Sequence, residues 1–370
     1  MRILLSGMVA GVPGHGGATW AVLQYVRGLR RLGHDVVLVE PVKELTPASR
    51  AYFAEVVAQF ELGGRAALVV EATGESIGLP YRGILDAARA AELVININGM
   101  LRHPDLVEPA PVRLYLDLDP VFNQLWAEDG IDVGLARHTH FVTVGLGVGA
   151  PGSTLPSAGR SWLATPQPVV LADWPVAGQA VREGLTTVGN WRSYGSIERD
   201  GVRYGQKAHS YRRFIELPTR LALPVYAGLA IHPDERGDLD ALVENGWHLL
   251  DPGEVAGTPA RYREFVRDSW AELGIAKEGY VVSNSGWFGD RSVCYLASGR
   301  PVLAQETGFS AFLPVGEGLI PFETIDDAVA GVEDLRRHYE RHRRAARALA
   351  EDVFDSDKVL AALLSGIGVA

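Results

Sequence analysis

A glycine-rich segment near the amino terminus holds the first side chain that could do chemistry. His15 stands in the segment 11–17, GVPGHGG, directly before a stretch with helical periodicity. The pKa of a histidine lies near neutral pH, so His15 could serve as a general base; the alternative is an ordinary loop histidine. The glycines, Gly16 and Gly17 among them, let a substrate or a phosphate approach the backbone at the start of the helix.

A second segment, 283–292 (SNSGWFGDRS), combines glycines, hydroxyls, aromatic rings and charges between a predicted strand and a predicted helix. Arg291 supplies a fixed charge whose fork geometry suits phosphate. Ser292 or Asp290 could cap the following helix, whose free N–H groups would suit a diphosphate. A base could stack on an aromatic ring of this segment. The residues expected to contact a ligand are Ser285, Gly286, Trp287, Phe288, Gly289, Asp290, Arg291 and Ser292.

Two aspartates follow the pattern D-x-D at the end of a predicted strand. Alternate residues of a strand point to the same side, so Asp117 and Asp119 could share a divalent cation. We favour instead a role in substrate recognition or catalysis. His138 and His140 repeat the spacing, but no further pair of ligands accompanies them. We therefore predict no metal site.

The elements that must position these segments read as an α/β architecture. An apolar run at 2–5, an amphipathic stretch at 18–32 and a second run at 36–39 form a β-loop-α-β unit, which requires a parallel sheet with a right-handed crossover. Further strands are predicted at 66–70, 93–98, 112–118, 139–145, 185–189, 224–228, 247–250, 280–283 and 301–304. Further helices are predicted at 48–60, 81–91, 210–217, 238–245, 259–273 and 292–298, and over most of 326–364.

Proline and glycine place the domain boundary. A Gly/Pro/Ser-rich stretch at 145–159 is followed by Pro166, Pro168 and Pro175, after which the α/β pattern restarts. The boundary is expected near 165–185. The predicted units are a domain at 1–175, a similar domain at 176–345, and a helical segment at 346–370 that packs back on the first domain. The arginines of the tail are interpreted as a solvated helix face: Arg336, Arg337, Arg341, Arg343, Arg344 and Arg347.

Composition excludes several classes of protein. The chain has 370 residues, of which 47% are hydrophobic, a formal net charge of −10 and one cysteine, Cys294. This length fits two domains, and the apolar fraction rules out global disorder. A disulfide scaffold is excluded, and the acidic balance argues against a non-specific nucleic-acid binder. We expect a cytoplasmic monomer or homodimer without a signal peptide or a membrane span.

Several motifs of the chain resemble those of GT-B glycosyltransferases. Gly16-Gly17 precedes a helix and is followed by 30–36 (RRLGHDV). The segments 286–289 (GWFG) and 295–302 (YLASGRPV) resemble E-G-F-G and E-A-M-A-C-G-x-P-V of the retaining group. Three further strings are similar to an actinobacterial branch of that group: 115–120 (YLDLDP), 205–207 (GQK) and 287–292 (WFGDRS).

The resemblance implies two Rossmann-like domains that face each other across a cleft, with helices at the carboxyl terminus. The second domain would hold a nucleoside-diphosphate sugar as co-substrate and the first a small-molecule acceptor, with neither a metal nor another cofactor. Lys207 matches the basic residue that such enzymes place on the donor phosphates. The two glutamates of the retaining group fall here on Gly286 and Cys294, so the ribose and sugar hydroxyls must find other acceptors. Asp290, Glu306 and Asp251 are available.

The function expected from these observations is transfer of a sugar from a nucleoside diphosphate to a small acceptor. His15, Asp117 and Asp119 are the catalytic candidates, and the donor would contact Gly16, Gly17, Lys207, Glu306 and the segment 285–292. A working His15 base suits inversion, whereas the GWFG signature favours retention. The alternatives are a GT-B epimerase or hydrolase and a non-catalytic two-lobed binding protein. A nicotinamide dehydrogenase has only Glu40 in its support, because the glycine spacing of the dinucleotide fingerprint is wrong.

Overall fold

The structure is a computed structural model that describes residues 1–150 and 153–369; Pro151 and Gly152, inside the predicted Gly/Pro/Ser-rich stretch, and Ala370 lie outside the described residues. In the described part of the first half, eight strands form one sheet in the order β4-β3-β2-β1-β5-β6-β7-β8. Neighbours run parallel except β3 and β4. The strands are β1 (Arg2–Ser6), β2 (Asp35–Pro41), β3 (Ala66–Val70), β4 (Glu75–Gly78), β5 (Leu93–Ile97), β6 (Val112–Asp117), β7 (His140–Thr143) and β8 (Leu163–Ala164).

The helices of the first half cover both faces of this sheet. They are α1 (Gly16–Arg31), α2 (Pro47–Gln59), α3 (Tyr81–Ala90), α4 (Pro104–Val107) and α5 (Phe122–Glu128). The predicted β-loop-α-β unit is confirmed, because Trp20, Leu23, Val26 and Leu29 of α1 are all buried in the core. Trp20 also reaches the second half of the chain, where its indole N–H donates to the Pro259 carbonyl at 2.8 Å.

A second sheet is built from the second half of the chain. Within the described residues its order is β13-β12-β9-β14-β15-β16, all parallel. The strands, with a separate hairpin β10–β11, are β9 (Arg182–Asn190), β10 (Ile197–Arg199), β11 (Val202–Tyr204), β12 (Val225–Ala230), β13 (Trp247–Leu249), β14 (Ser269–Gly274), β15 (Val302–Gln305) and β16 (Leu319–Phe322). Counted from its own first strand this is the order 3-2-1-4-5-6 of the Rossmann fold, and β3-β2-β1-β5-β6-β7 has the same order. The predicted α/β fold class with two similar halves is confirmed.

Helices again flank the second sheet. They are α6 (Lys207–Arg213), α7 (Arg236–Glu244), α8 (Pro252–Ala256), α9 (Pro259–Asp268), α10 (Glu278–Val282), α11 (Asp290–Ala297), α12 (Ile325–Arg337), α13 (Tyr339–Leu349) and α14 (Ser356–Gly366). The last of these returns to the first half of the chain, where Asp357 pairs with Arg31 of α1 at 3.0 Å. No helix in the described residues is both long enough and apolar enough to cross a membrane.

Three sequence-based predictions for the second half are wrong. The predicted helix 259–273 ends at Asp268, and β14 follows without a turn residue, so the sequence gives no signal for the change. The predicted strand 280–283 belongs to helix α10, although its Tyr-Val-Val run is typical of strands. The predicted helix 210–217 begins earlier, at Lys207, because Gln206 and His209 form a capping box there.

Candidate functional site

A cavity of about 440 Å³ lies between the two halves of the molecule. It opens at the carboxyl ends of β9 and β12 in the second half and at the start of α1, the helix that follows β1, in the first half. The strand order of each sheet reverses beside β1 and beside β9. In Rossmann-type sheets ligands bind at this switch point. The first half contributes Gly14, His15, Gly17 and Ala18, and the second half contributes Val188, Gly189, Asn190, Ser193, Gln206, Lys207, Ala230, Pro252, Gly253, Ala256, Tyr262, Lys277, Asp290 and Arg291.

The loop after β1 is held in place by a buried carboxylate. Glu40, at the end of β2, accepts hydrogen bonds from the backbone N–H groups of Val9, Ala10 and Gly11 at 2.7–2.9 Å. Burial raises the pKa of Glu40, and these three donors act against the shift. Its carboxylate is therefore committed to the loop, and the one residue in support of a dehydrogenase has a structural role instead.

His15 is the N-cap residue of α1 and lines the cavity. Burial lowers the pKa of its imidazole, which keeps the ring neutral at pH 7 and able to accept a proton. Gly16 follows at a tight contact, since a Cβ on it would lie 2.2 Å from the Thr258 carbonyl oxygen of the other half. Gly17 packs in the same way on the ring of Tyr262. Glycine is thus required for the two halves to approach here.

Lys207 is half-buried and brings its ammonium group to the cavity wall. It is the first residue of α6, and its Nζ lies 3.1 Å from the position of a Cβ on Gly189. Burial, together with the charges of Arg291 and Lys277, lowers the pKa of Lys207 to about 7. An anion that binds in the cavity stabilises the charged form of Lys207, because it replaces the solvation that the ammonium loses on burial.

Lys277 is a second ammonium group at the cavity, and the sequence analysis missed it. It follows β14 and donates to both carboxylate oxygens of Asp119 at 2.9 and 3.0 Å. The hydroxyls of Tyr194 and Tyr280 donate to the same carboxylate. The ammonium also lies 4.4 Å from the centre of the Tyr194 ring. The predicted helix through 273 concealed β14, and with it the position of Lys277 at the end of a central strand.

Arg291 and Asp290 begin helix α11 and line the cavity together. The Arg291 Nε donates to the fully buried Glu272 and its Nη1 to the Val188 carbonyl, both at 2.5 Å. These bonds fix the guanidinium at the mouth of the central strands. Burial raises the pKa of Asp290, while the charges of Arg291 and Lys207 act against the shift. The cavity therefore carries three cations and one carboxylate.

Solved glycosyltransferases share this arrangement of two halves. An alpha-glucosyltransferase in complex with UDP-glucose and DNA containing an abasic site has 12% sequence identity and a TM-score of 0.65, covering 99% of this chain and 98% of its own. HepE from Anabaena in complex with UDP and glucose has 12% identity and a TM-score of 0.62, covering 99% of this chain and 100% of its own. The chain has the GT-B fold. No family model and no curated protein matches it.

The turn formed by the glycine-containing segment 285–292 of the second domain lines the cavity only in part, contrary to the prediction. It follows helix α10 rather than a strand, and Gly286 is packed against the first domain, where a Cβ would lie 2.6 Å from the Gly147 backbone nitrogen. Leu146 and Gly147 donate to the carbonyls of Gly286 and Ser285. The turn thus joins the two domains, and of the predicted ligand contacts in 285–292 only Asp290 and Arg291 line the cavity.

The two aromatic residues of the turn serve its packing rather than a nucleobase. Trp287 stacks on Tyr280 with ring centres 4.6 Å apart. Phe288 is buried between Phe309 and Phe354, at 5.4 Å from each ring centre. Neither ring lines the cavity between the two halves, so the geometry does not support the predicted stacking of a base on them.

The remaining hydroxyl and glycine positions of the turn are also internal. Ser285 is fully buried and receives the N–H of Trp287 on its Oγ. The N-cap of α11 is Gly289, so neither Ser292 nor Asp290 caps this helix from the N-cap position as predicted. Ser292 is buried beneath the turn, 3.3 Å from the position of a Cβ on Gly289.

Two carboxylates predicted to hold ribose or sugar hydroxyls are occupied by their own loops. Glu306 accepts from the backbone N–H groups of Thr307, Gly308 and Ser310 and from the Ser310 hydroxyl. Asp251 caps α8 by accepting from Gly253 and Glu254. Neither lines the cavity, and Asp290 is the candidate of this group that does.

Asp117 is separated from the cavity although Asp119 is beside it. Asp117 is fully buried, and its carboxylate accepts hydrogen bonds from Asn123, Gln124, Thr143 and the backbone of Asp119. Burial raises its pKa, and these donors oppose the shift. The two aspartates therefore do not share a ligand: Asp117 braces the loop after β6, and Asp119 accepts the bonds from Lys277.

A metal centre finds no ligand set in the part of the chain that the structure describes, where no three His, Cys, Asp or Glu side chains converge. His138 is buried and bonded to Asn96 and to the Gly134 carbonyl, whereas His140 contacts Thr139. This pair of histidines is therefore split between a buried structural position and the surface.

Proposed function

We propose that this chain transfers a sugar from a nucleoside-diphosphate sugar to a small-molecule acceptor, with the donor bound in the cavity between the domains. The observation that carries the proposal is Lys207, a cation on the cavity wall that makes no ion pair among residues 1–150 and 153–369. Two further cations line the same cavity, Arg291, which is paired with Glu272, and Lys277, which is paired with Asp119. A nucleoside diphosphate has the charge to pair with Lys207, and a cavity of about 440 Å³ is in the range of small-molecule sites.

The proposed chemistry follows from where the charges lie. When the glycosidic bond breaks, negative charge develops on the diphosphate leaving group, and fixed cations stabilise that charge in the transition state. Lys207 and Arg291 are placed for this task, and the bonds of Arg291 to Glu272 and to the Val188 carbonyl mean that little reorganisation of its guanidinium is needed. We propose that they act without a metal ion and that the nucleotide sugar is the sole co-substrate.

The acceptor is proposed to enter from the side of the first domain. His15 is the titratable side chain of that domain on the cavity wall, and its lowered pKa suits a base that takes the proton of an acceptor hydroxyl. A base on the acceptor side is what direct displacement needs, and direct displacement inverts the configuration of the sugar. The anomer of the product therefore decides between inversion and retention.

The class of acceptor is inferred from charge. Several of the similar alpha-glucosyltransferase structures contain DNA, and a nucleic-acid acceptor would need a basic surface. This chain has a net charge of −10, which favours a small molecule. The similar structures contain UDP or UDP-glucose, so uridine donors are the first to test here.

The test is a melting-temperature series with UDP, GDP, ADP and TDP, followed by product analysis with the sugar donor of the base that binds. A ligand that binds only the folded state raises the melting temperature. We expect a shift that is much smaller in Lys207→Met and unchanged in Lys358→Met, a lysine that is 58% exposed at the carboxyl terminus. If none of the four nucleotides shifts the wild-type protein, the proposal is wrong.

Product analysis separates the transferase from the other GT-B activities. A transferase consumes the donor faster when an acceptor is added, and the sugar appears on the acceptor. A hydrolase or an epimerase converts the donor equally well without an acceptor, and a binding protein leaves it unchanged. Donor turnover that never depends on any of a broad panel of acceptors would contradict the transfer step while leaving the donor site intact.

A further inference from the structure

A second cavity of about 530 Å³ lies at the amino ends of the strands of the second sheet, opposite the first cavity. Its wall contains residues at the amino ends of the strands: Glu183 of β9, Trp270 of β14 and Arg300 just before β15. The first cavity uses the other end of the same strands, where Gly189 belongs to β9. Six residues of extended strand separate Glu183 from Gly189, roughly 20 Å. The two cavities are therefore distinct sites.

Arg300 is a buried cation in the second cavity whose hydrogen-bond partners are neutral. Its residue is 1% exposed. Nε and Nη2 donate to the Arg267 carbonyl, Nη2 also to the Gly178 carbonyl, and Nη1 to the Tyr339 hydroxyl at a long 3.4 Å. Burial lowers the pKa of the guanidinium. Buried charges in proteins are normally paired, so an anion that enters this cavity would be stabilised by Arg300.

Two more arginines face the same cavity from the C-terminal helices. Arg343 of α13 donates Nη2 to the Ala177 carbonyl and Nη1 to Glu340 at 3.2 Å. Its Nε is buried and has no hydrogen-bond partner among residues 1–150 and 153–369. Within the part of the chain that the structure describes, the one hydrogen bond of the Arg336 side chain on α12 is a long one of 3.4 Å to Glu333 on the same helix. The prediction of a simple solvated arginine face is therefore wrong for Arg343.

The rest of the wall is partly aromatic. Trp270 and Tyr339 stack with ring centres 4.8 Å apart and an angle of 10° between the planes. The Tyr339 hydroxyl donates to the Trp270 carbonyl, which fixes this pair. Leu223 adds an apolar side chain. Against three arginines the wall holds two carboxylates, Glu183 and Glu340, so the site has an excess of positive charge and room for more than a bare ion.

We propose that this second cavity binds a phosphate group, either free or as the monoester of a small organic molecule, between Arg300, Arg336 and Arg343. A phosphate group supplies negative charge where positive charge is in excess, and it offers oxygens to the unpaired Nε of Arg343 and to the weakly bonded Nη1 of Arg300. The aromatic pair and Leu223 form the wall along which an organic part would lie.

The site also lies beside the segment that connects the two domains. Arg343 and Arg300 each donate an Nη2 group to a carbonyl of that segment, Ala177 and Gly178 respectively. These bonds hold the two guanidinium groups in place and leave the Arg343 Nε and the Arg300 Nη1 for the phosphate.

The experiment is calorimetric titration of the intact protein with inorganic phosphate, with glucose 6-phosphate and with neutral glucose. Inorganic phosphate tests the free ion, and glucose 6-phosphate tests the monoester. The titrations are repeated in Lys207→Met, so that binding at the first cavity is separated from binding at the second. We expect at least one of the two phosphate ligands to bind both the wild-type protein and Lys207→Met. Glucose should not bind this site in either protein.

Charge-removing variants locate the binding. Arg343→Gln and Arg336→Gln should each raise the dissociation constant about tenfold or more, as expected for a lost charge-assisted hydrogen bond. Arg336 lies at the surface with a 43% exposed side chain, so its variant keeps the fold even if Arg343→Gln does not. Arg344→Gln is the matched control, since Arg344 is the next residue on the helix, is exposed and does not line the cavity.

Three outcomes would overturn the proposal. The first is no binding of either phosphate ligand to the wild-type protein. The second is binding that disappears in Lys207→Met, which would assign it to the first cavity. The third is binding unaffected by both Arg336→Gln and Arg343→Gln, or weakened equally by Arg344→Gln. Each outcome leaves the proposed donor site untouched, because that site is tested with nucleotides.

Discussion

Lys277 of the second domain bonds both carboxylate oxygens of Asp119 in the first, at 2.9 and 3.0 Å, on the wall of the cavity between the domains. The pair is largely buried, with side-chain exposures of 12% and 16%. It is enclosed by Tyr194, Tyr280 and Phe122, over whose rings the ammonium lies. The D-x-D motif thus supplies one half of an ion pair that joins the two domains.

Breaking this pair should destabilise the protein. Asp119→Asn leaves the Lys277 ammonium buried without a countercharge, which we expect to cost roughly 3 kcal/mol. The midpoint of urea denaturation should fall accordingly. The double variant Asp119→Asn/Lys277→Met removes the unpaired charge and should recover part of the loss. Asp129→Asn, at an exposed position, is the control. A midpoint unchanged in Asp119→Asn would mean that the pair contributes nothing to the domain contact.

Donor affinity should fall as the pH rises through neutrality. Burial and the neighbouring cations lower the pKa of Lys207 to about 7. A bound diphosphate favours the protonated form and raises this pKa, so the free protein must take up a proton to bind above pH 7. Affinity for a nucleotide sugar, whose diphosphate does not titrate here, should drop about tenfold per pH unit between about pH 7 and pH 9. Titrations at several pH values measure this slope, which Lys207→Met should abolish; an equal slope in that variant would contradict the assignment.

A methyl group at Gly16 should push the domains apart. In an exposed helix Gly→Ala stabilises by up to about 1 kcal/mol. Here the new Cβ would lie 2.2 Å from the Thr258 carbonyl oxygen, and overpacking of this kind costs about 2 kcal/mol. Gly16→Ala should therefore lower the melting temperature and weaken nucleotide binding. Gly63→Ala, where a Cβ meets open space, should do neither. A more stable Gly16→Ala protein would show that the domains do not meet at this point.

His15→Ala should separate turnover from donor binding. A general base contributes about a hundredfold or more to rate, so kcat should fall by this factor while the dissociation constant of the nucleotide stays nearly unchanged. Steady-state kinetics and calorimetric titration measure the two quantities. His232→Ala, with a 71% exposed side chain, is the control. A loss of donor affinity as large as that in Lys207→Met would place His15 on the donor instead.

Local patterns were enough to predict much of the fold. The helix after β1 was predicted because Trp20, Leu23, Val26 and Leu29 repeat at a helical spacing and its strands are continuous apolar runs. Lys207 was identified from the resemblance of 205–207 to a family motif, and the structure places it on the cavity wall. These inferences depend on neighbours in the sequence, which is why the sequence alone carries them.

The errors concern contacts between distant segments. Gly286, Trp287 and Phe288 have the composition of a ligand loop, but the turn packs on residues 146–147 and on Phe309 and Phe354. The sequence suggests a Glu306 carboxylate available for a ligand, but in the fold it accepts hydrogen bonds from the backbone of its own loop. The role of Lys277 depends on Asp119, 158 residues away. None of these contacts between distant residues produces a periodicity or a motif in the sequence.

A crystal structure with the bound nucleoside diphosphate of an active donor tests the central claim most directly. The account predicts density between the domains, with diphosphate oxygens within about 3.5 Å of the Lys207 ammonium and the Arg291 guanidinium. Density for the nucleotide at any other place on the molecule, with the space between Gly189, Lys207 and His15 filled only by water, would contradict it.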